Sequence, residues 1–198
     1  MFTFYLVRHG ETDWNKEKRY LGHTDLPLNS RGQRQADCLG QKLKSLSFSR
    51  CYTSDLARAR QTTRAILSGD GETPLLVAPA LREISFGKWE GLTYAEVCRN
   101  YPEEAKARAK SNGLIAPVEG ESLSDLQKRL LGWLHPVINE DPQGNILVVT
   151  HGGVLRLLLC LVLDVPITKH RKFNAAAGSL AIVEMHDGEG ILEVGVNP

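Results

Sequence analysis

Two stretches of the chain end in the same way. Tyr5-Leu6-Val7-Arg8-His9-Gly10 and Leu147-Val148-Val149-Thr150-His151-Gly152-Gly153 each run through an apolar segment into a histidine and then glycine. Imidazole can act as nucleophile, acid, base or metal ligand near neutral pH, and glycine lets a backbone turn tightly and approach a ligand. In an open parallel sheet, ligands bind at the carboxyl ends of the strands, so two strands of this design bring two histidines to one edge. Alone, His9 reads equally well as a strand cap, a base or a ligand. The pair, with Arg8 preceding one member, favours a functional site over two independent caps.

Arg58 is a third element. It falls in the first turn of the helix expected after Tyr52-Thr53-Ser54-Asp55, where the helix dipole disfavours a cation, so it is either solvated or offset by an anion. Arg60 and Arg64 share that helix and read as surface residues, although spacing alone does not choose between Arg58 and Arg60. The six histidines, His9, His23, His135, His151, His170 and His186, show neither H-x-x-x-H nor H-E-x-x-H spacing, and none has a neighbouring cysteine. Neither a metal nor a cofactor is expected. His23, His135, His170 and His186 read as surface or loop residues, with the reservation that His23 lies in the loop after His9.

The elements that must position these residues alternate between short apolar runs and longer helical patterns. That is the mark of βαβ crossovers with helices on both faces, and it predicts a three-layer α/β/α fold with a mostly parallel sheet. Strands are expected at Thr3–Val7, Arg50–Thr53, Pro74–Ala78 and Asn145–Thr150. Ser179–Met185 and Ile191–Val196 read as a terminal hairpin around Asp187-Gly188-Glu189-Gly190. Helices are expected from about Arg31 to Leu46, entered through Asn29-Ser30, then to about Ser68 with Ser54 or Asp55 as cap, and over Gly152–Leu163. Leu81–Gly91 shows no period and reads as an irregular loop. Thr93–Tyr101 and Pro102–Ser111 form a helical insertion over the site, followed by a helix over Ser122–Asn139, so that about 93–139 interrupts the alternation. Within Glu103–Lys110 the charges alternate in sign at helical spacing, which suits a solvated face.

At 198 residues and 42% hydrophobic content, one core suffices and residues 1–198 read as a single domain. Lys and Arg total 24 against 23 Asp and Glu, so there is no general basic field for nucleic acid or an anionic membrane. The longest apolar run, Val154–Leu163, is broken by Arg156 and falls far short of the roughly 20 residues of a membrane span. The N-terminal segment lacks a basic region and a cleavage site. Cys38, Cys51, Cys98 and Cys160 are widely spaced, which suits reduced thiols and a cytoplasmic location. Monomer and homodimer are both compatible with the sequence.

The residues resemble the histidine phosphatase superfamily, which includes the cofactor-dependent phosphoglycerate mutases, fructose-2,6-bisphosphatase and α-ribazole phosphatase. The matching motifs occur in family order: Arg8-His9-Gly10-Glu11-Thr12-x-x-Asn15, Ser54-Asp55-Leu56-x-Arg58-Ala59, Leu81-Arg82-Glu83 with Phe86-Gly87-x-Trp89-Glu90-Gly91, Gly120-Glu121-Ser122, and Thr150-His151-Gly152-Gly153. The resemblance implies that Arg58 rather than Arg60 is catalytic. It makes His9 the nucleophile, with Arg8, Arg58 and His151 as phosphate ligands and Asn15 and the backbone near Gly152 as further donors. Glu83 would protonate the leaving oxygen and later deprotonate water, while Glu90 serves the hydrogen bonds of its own loop.

Phosphoryl transfer is mainly positioning and charge stabilisation. Arg8 and Arg58 offer permanently charged forks, and His151 as an imidazolium would add a third positive donor, so Mg²⁺ is dispensable. The same cations oppose protonation of His9, whose second ring nitrogen is expected to rest on a backbone carbonyl of the glycine turn. The expected activity is metal-independent hydrolysis of a small-molecule phosphomonoester through a phosphohistidine. Two departures from the mutases favour hydrolysis: the stretch from Glu83 to His151 is short, and the acid is followed by Ile84-Ser85-Phe86-Gly87-Lys88-Trp89. Leu21, before Gly22, replaces a hydroxyl residue of the mutases and predicts an apolar wall, extended by Phe86, Trp89 and Leu92, that meets the non-phosphate part of the substrate. Size and the Phe86–Gly91 stretch look most like the α-ribazole phosphatase branch. A mutase and a non-catalytic phosphate-binding domain are the alternatives.

Overall fold

A six-stranded sheet in the order β3-β2-β4-β1-β5-β6 organises the chain. The structure, a computed structural model, is described for residues 1–69, 71–140, 142–186 and 189–196, excluding the side chains of 194–196. β1 (Phe2–Arg8), β2 (Arg50–Thr53), β3 (Leu75–Val77) and β4 (Gly144–Thr150) are mutually parallel. β5 (Leu180–His186) and β6 (Glu189–Val196) add an antiparallel hairpin at one edge. Asp187 and Gly188 of the expected turn lie outside the described residues.

Alternation along the strands feeds two cores. From β4, Ile146 and Val148 face one side with Phe4, Leu6 and Tyr52, where α6 (Leu123–Asn139) and α7 (Gly152–Val162) pack. Leu147 and Val149 face the other with Val7 and Cys51, against α2 (Ser30–Leu43) and α3 (Ala57–Ile66). The result is the expected three-layer α/β/α arrangement with a mostly parallel sheet. α7 is apolar nearly all round because it is central, with Leu155, Leu157, Leu158 and Leu159 at 2% exposure or less. Truncating any one to alanine costs about 2–5 kcal/mol.

Several local expectations change. The structure adds a one-turn helix α1 (Asp13–Lys16), closed by a capping box between Thr12 and Asn15. Neither Ser54 nor Asp55 caps α3, whose N-cap is Leu56 without a side-chain bond. Asp55 is drawn into an ion pair with Arg82, Ser54 meets His151, and the first amide of the helix, Ala57 N, donates instead to Asp25 Oδ1 at 2.7 Å. α4 (Tyr94–Asn100) and α5 (Pro102–Lys110) form the cover, with their own small core of Trp89, Val97 and Ala105. α6 belongs to the helical layer on the sheet rather than to that cover, since Leu126, Leu130 and Leu134 sit in the main core. A 3-10 turn over Ile167–Lys172, not foreseen from the sequence, follows α7.

Candidate active site

β1 and β4 are neighbours, in a register that sets Arg8 opposite Thr150. The next residue on each strand is a histidine, and the two rings stand 5.0 Å apart at 62°. The chain leaves β1 toward β2 and leaves β4, through α7, toward β5, so this pair marks the switch point of the sheet, where a crevice opens.

His9 is 2% exposed. Its Nδ1 meets Gly10 O at 2.6 Å, and since a carbonyl only accepts, Nδ1 carries the proton and Nε2 keeps its lone pair. Burial, then the charges of Arg58 and Arg8, hold its pKa well below the usual value. His151 is fully buried and differs in its bonds. Arg58 Nε donates to its Nδ1 at 3.2 Å, and its Nε2 lies 2.9 Å from Ser54 Oγ. A guanidinium only donates, so Nδ1 is unprotonated here and the ring is neutral, again favoured by burial and by Arg58. The imidazolium expected with phosphate bound therefore requires Arg58 to release Nδ1.

Arg58, 0% exposed in the first turn of α3, ties down the loop after His9, with Nη1 donating to Thr24 O at 2.9 Å and Nη2 to Gly22 O at 2.7 Å. Burial lowers its pKa to about 10, which leaves it charged at neutral pH. Arg8 donates through Nη1 to Ala175 O at 2.5 Å, and its buried Nε has no partner. Gly152 makes room for it, because a Cβ there would lie 3.3 Å from Arg8 Cζ. Among the described residues neither arginine has a carboxylate at ion-pair distance. A buried fork and a half-buried one, neither held in an ion pair, form an anion site.

Glu83 lies against the start of α7. Its Oε2 accepts from Gly153 N at 3.0 Å and its Oε1 from Ile84 N at 2.9 Å. A Cβ on Gly153 would come within 2.5 Å of Oε1, so the second glycine of the pair is where the carboxylate passes. The site thus joins a histidine with a free nitrogen, two arginines outside any ion pair and a carboxyl group near both.

The family model "Histidine phosphatase superfamily (branch 1)" matches residues 4–197. The chain belongs to this superfamily. It is 31% identical over 96% of its length to the adenosylcobalamin/alpha-ribazole phosphatase of Escherichia coli, covering 93% of that protein. It is 39% identical to phosphoglycerate mutase-like protein 4 of Arabidopsis thaliana, over 77% of this chain and 67% of the relative. Among solved structures, the alpha-ribazole phosphatase of Shigella flexneri superposes with a TM-score of 0.91 at 30% identity, covering 98% of this chain and 95% of that one.

In this histidine phosphatase, Glu90 accepts from the amides of His23 at 2.8 Å and Thr24 at 2.7 Å and from the hydroxyl of Thr24, so it organises the loop after His9. His23 Nε2 lies 3.0 Å from Glu83 O. Arg129, which the sequence did not single out, donates to Ala80 O at 2.6 Å, Arg82 O at 2.9 Å and Glu83 O at 3.3 Å while pairing with Glu121 at 2.8 Å, and so holds the loop that carries Glu83. Asn15 uses its Oδ1 on Thr12 N and lines a small hollow with Arg8 and Arg19. Gly22 contributes its carbonyl to Arg58, and a side chain there would strike Glu90 and Ile84.

A cavity of about 510 Å³ opens from Arg8, Glu83, Gly152 and Gly153. Phe86 and Trp89 line it as expected, but Leu21, 7% exposed, and Leu92, packed beside Trp89, are not among its lining residues. Arg108, Arg156 and Arg171 line it instead. Their one signal in the sequence was Arg156, a lone charge in an otherwise apolar helix. Among the described residues no cluster of three or more His, Cys, Asp or Glu is placed to hold a metal, and no helix is long and apolar enough to cross a membrane.

Proposed function

We propose that the chain is a phosphomonoesterase that hydrolyses small-molecule phosphate esters through a phosphohistidine at His9, without a metal. The observation that carries this reading is the tautomer of His9: Nδ1 is committed to Gly10 O, and Nε2 keeps its lone pair between Arg58 and Arg8. In the first step Nε2 bonds to phosphorus as the bond from phosphorus to the alcohol oxygen breaks, and Glu83 gives its proton to that oxygen. In the second, water attacks phosphorus, the nitrogen–phosphorus bond breaks and Glu83 takes the proton from water. Arg8 and Arg58 bind the equatorial oxygens, and His151, held against Arg58, adds a donor. Asn15, Gly22 and Gly152 complete the binding shell, Gly152 by admitting Arg8 and Gly22 by offering its carbonyl to Arg58.

Relatives carry both phosphatase and mutase names, so the test separates the two activities. Hydrolysis of p-nitrophenyl phosphate between pH 5 and 8 in excess EDTA is expected, and its absence in folded protein sinks the proposal. Formation of 2-phosphoglycerate from 3-phosphoglycerate with 2,3-bisphosphoglycerate supplied would assign a mutase instead. A panel of metabolite monoesters that includes α-ribazole 5′-phosphate, ranked by kcat/KM, sets the substrate.

A further inference from the structure

The cavity beside the phosphate position carries more positive charge than one phosphate group uses. Arg108 from α5, Arg156 from α7 and Arg171 from the turn after α7 line it together with Arg8. Glu83 is the one carboxylate among its described lining residues, and its oxygens are engaged by two backbone amides. None of Arg108, Arg156 and Arg171 has a carboxylate at ion-pair distance among the described residues. Arg108 and Arg156 are held in place, while Arg171 is exposed at the rim. Arg108 donates to Ile115 O at 2.6 Å, and its guanidinium lies over the rings of Phe86 and Trp89 at 5.9 and 6.0 Å. Arg156 is anchored through Nε to Phe173 O at 3.0 Å. His170, also on the cavity wall, has its pKa lowered, first by burial and then by the charges of Arg171, Arg156 and Arg108. Trp89, 1% exposed and also on the cavity wall, has an Nε1 with no protein partner.

Gathering like charges in a partly desolvated pocket is unfavourable unless something of opposite sign enters. The geometry points to a substrate whose departing alcohol carries a second anionic group, a carboxylate or a further phosphate, seated among Arg108, Arg156 and Arg171. This rests on the phosphomonoesterase reading above. The reaction is unchanged: the ester oxygen takes the proton of Glu83, and the alcohol leaves with its second anion intact. The apolar wall that Leu21 suggested is built instead from Ile84, Leu123 and Leu126 with Phe86 and Trp89, and three arginines share it.

The test compares ethyl phosphate with two esters of matched size, phosphoglycolate and ethylene glycol bisphosphate. The anionic pair is expected to lead in kcat/KM by about tenfold or more, as charge-assisted contacts require. Whichever of the two leads identifies the second group as carboxylate or phosphate. Arg171→Glu is expected to shrink that ratio by about tenfold, and Arg156→Gln gives an independent check should the first variant fold poorly. Equal kcat/KM for all three esters, a ratio unmoved in both folded variants, or a preference for α-ribazole 5′-phosphate, which has no second anion, overturns the inference. If no ester turns over, the phosphatase reading falls, and calorimetry on the whole protein still judges the subsite: phosphoglycolate binding tighter than ethyl phosphate supports it, and equal binding overturns it.

Discussion

His9 and His151 are buried at adjacent strand ends in the field of the same two arginines, and their hydrogen bonds give them different work. His9 retains an unshared lone pair on Nε2, whereas both nitrogens of His151 are engaged, by Arg58 and by Ser54. Only the first can attack phosphorus without breaking a bond. His9→Ala is therefore expected to abolish an acid-labile phosphoenzyme, while Glu83→Gln slows turnover by about 10²–10⁴ and leaves phosphate affinity largely intact. Rapid-quench trapping and equilibrium binding read these separately. If His151 becomes an imidazolium when its neighbour Arg58 turns to an anion, sulfate binding near pH 7 takes up about one proton. Calorimetry in buffers of different ionisation enthalpy counts it, and zero uptake means that His151 acts as a neutral donor. Residue types and their order made His9, Arg8 and Glu83 legible in the sequence. The choice of Arg58 over Arg60 was not legible from spacing, because both lie within one helical turn; the family motif pointed to Arg58, and its burial against Gly22 and Thr24 sets the two apart in the fold.

At the scale of elements, the loop that carries Glu83, the proposed acid, is held from two sides. Gly153 lets the carboxylate of Glu83 cross the start of α7, so Gly153→Ala is expected to displace that carboxylate and lower kcat by about tenfold or more at modest cost in stability. Arg129→Met removes three bonds to the loop backbone and strands Glu121; with Arg129 about a fifth exposed, the cost is about 2 kcal/mol, read from urea melts. Its kcat should fall more than its KM rises, because the acid rather than the phosphate ligands is set loose. Strands and long helices were readable from period and capping residues, including Asn29 as the N-cap of α2. What was hidden depends on contacts between segments far apart in the chain: Asp25 capping α3, Arg129 gripping the acid loop, and a basic turn after α7 reaching the cavity.

For the whole molecule, two histidines buried neutral make stability depend on pH. Their folded pKa values lie below the unfolded value of about 6.5, so the unfolded chain binds more protons in the window beneath it. Stability is complete above about pH 6.5 and falls with acidification by up to about 1.4 kcal/mol per pH unit for each histidine. Urea midpoints measured from pH 7.5 down to 5 are expected to follow that slope, and His151→Ala should flatten it.

The order of the sheet also bears on how the protein comes into being. β1 and β2 emerge early during synthesis but never touch, because β4, made nearly a hundred residues after β2, is the strand that lies between them. Until it arrives, two apolar strand edges await a partner, which suits slow, non-local folding and dependence on chaperones. Affinity for phosphate, which needs both strand ends, is then a property of the finished chain alone, and no fragment that stops short of β4 can display it.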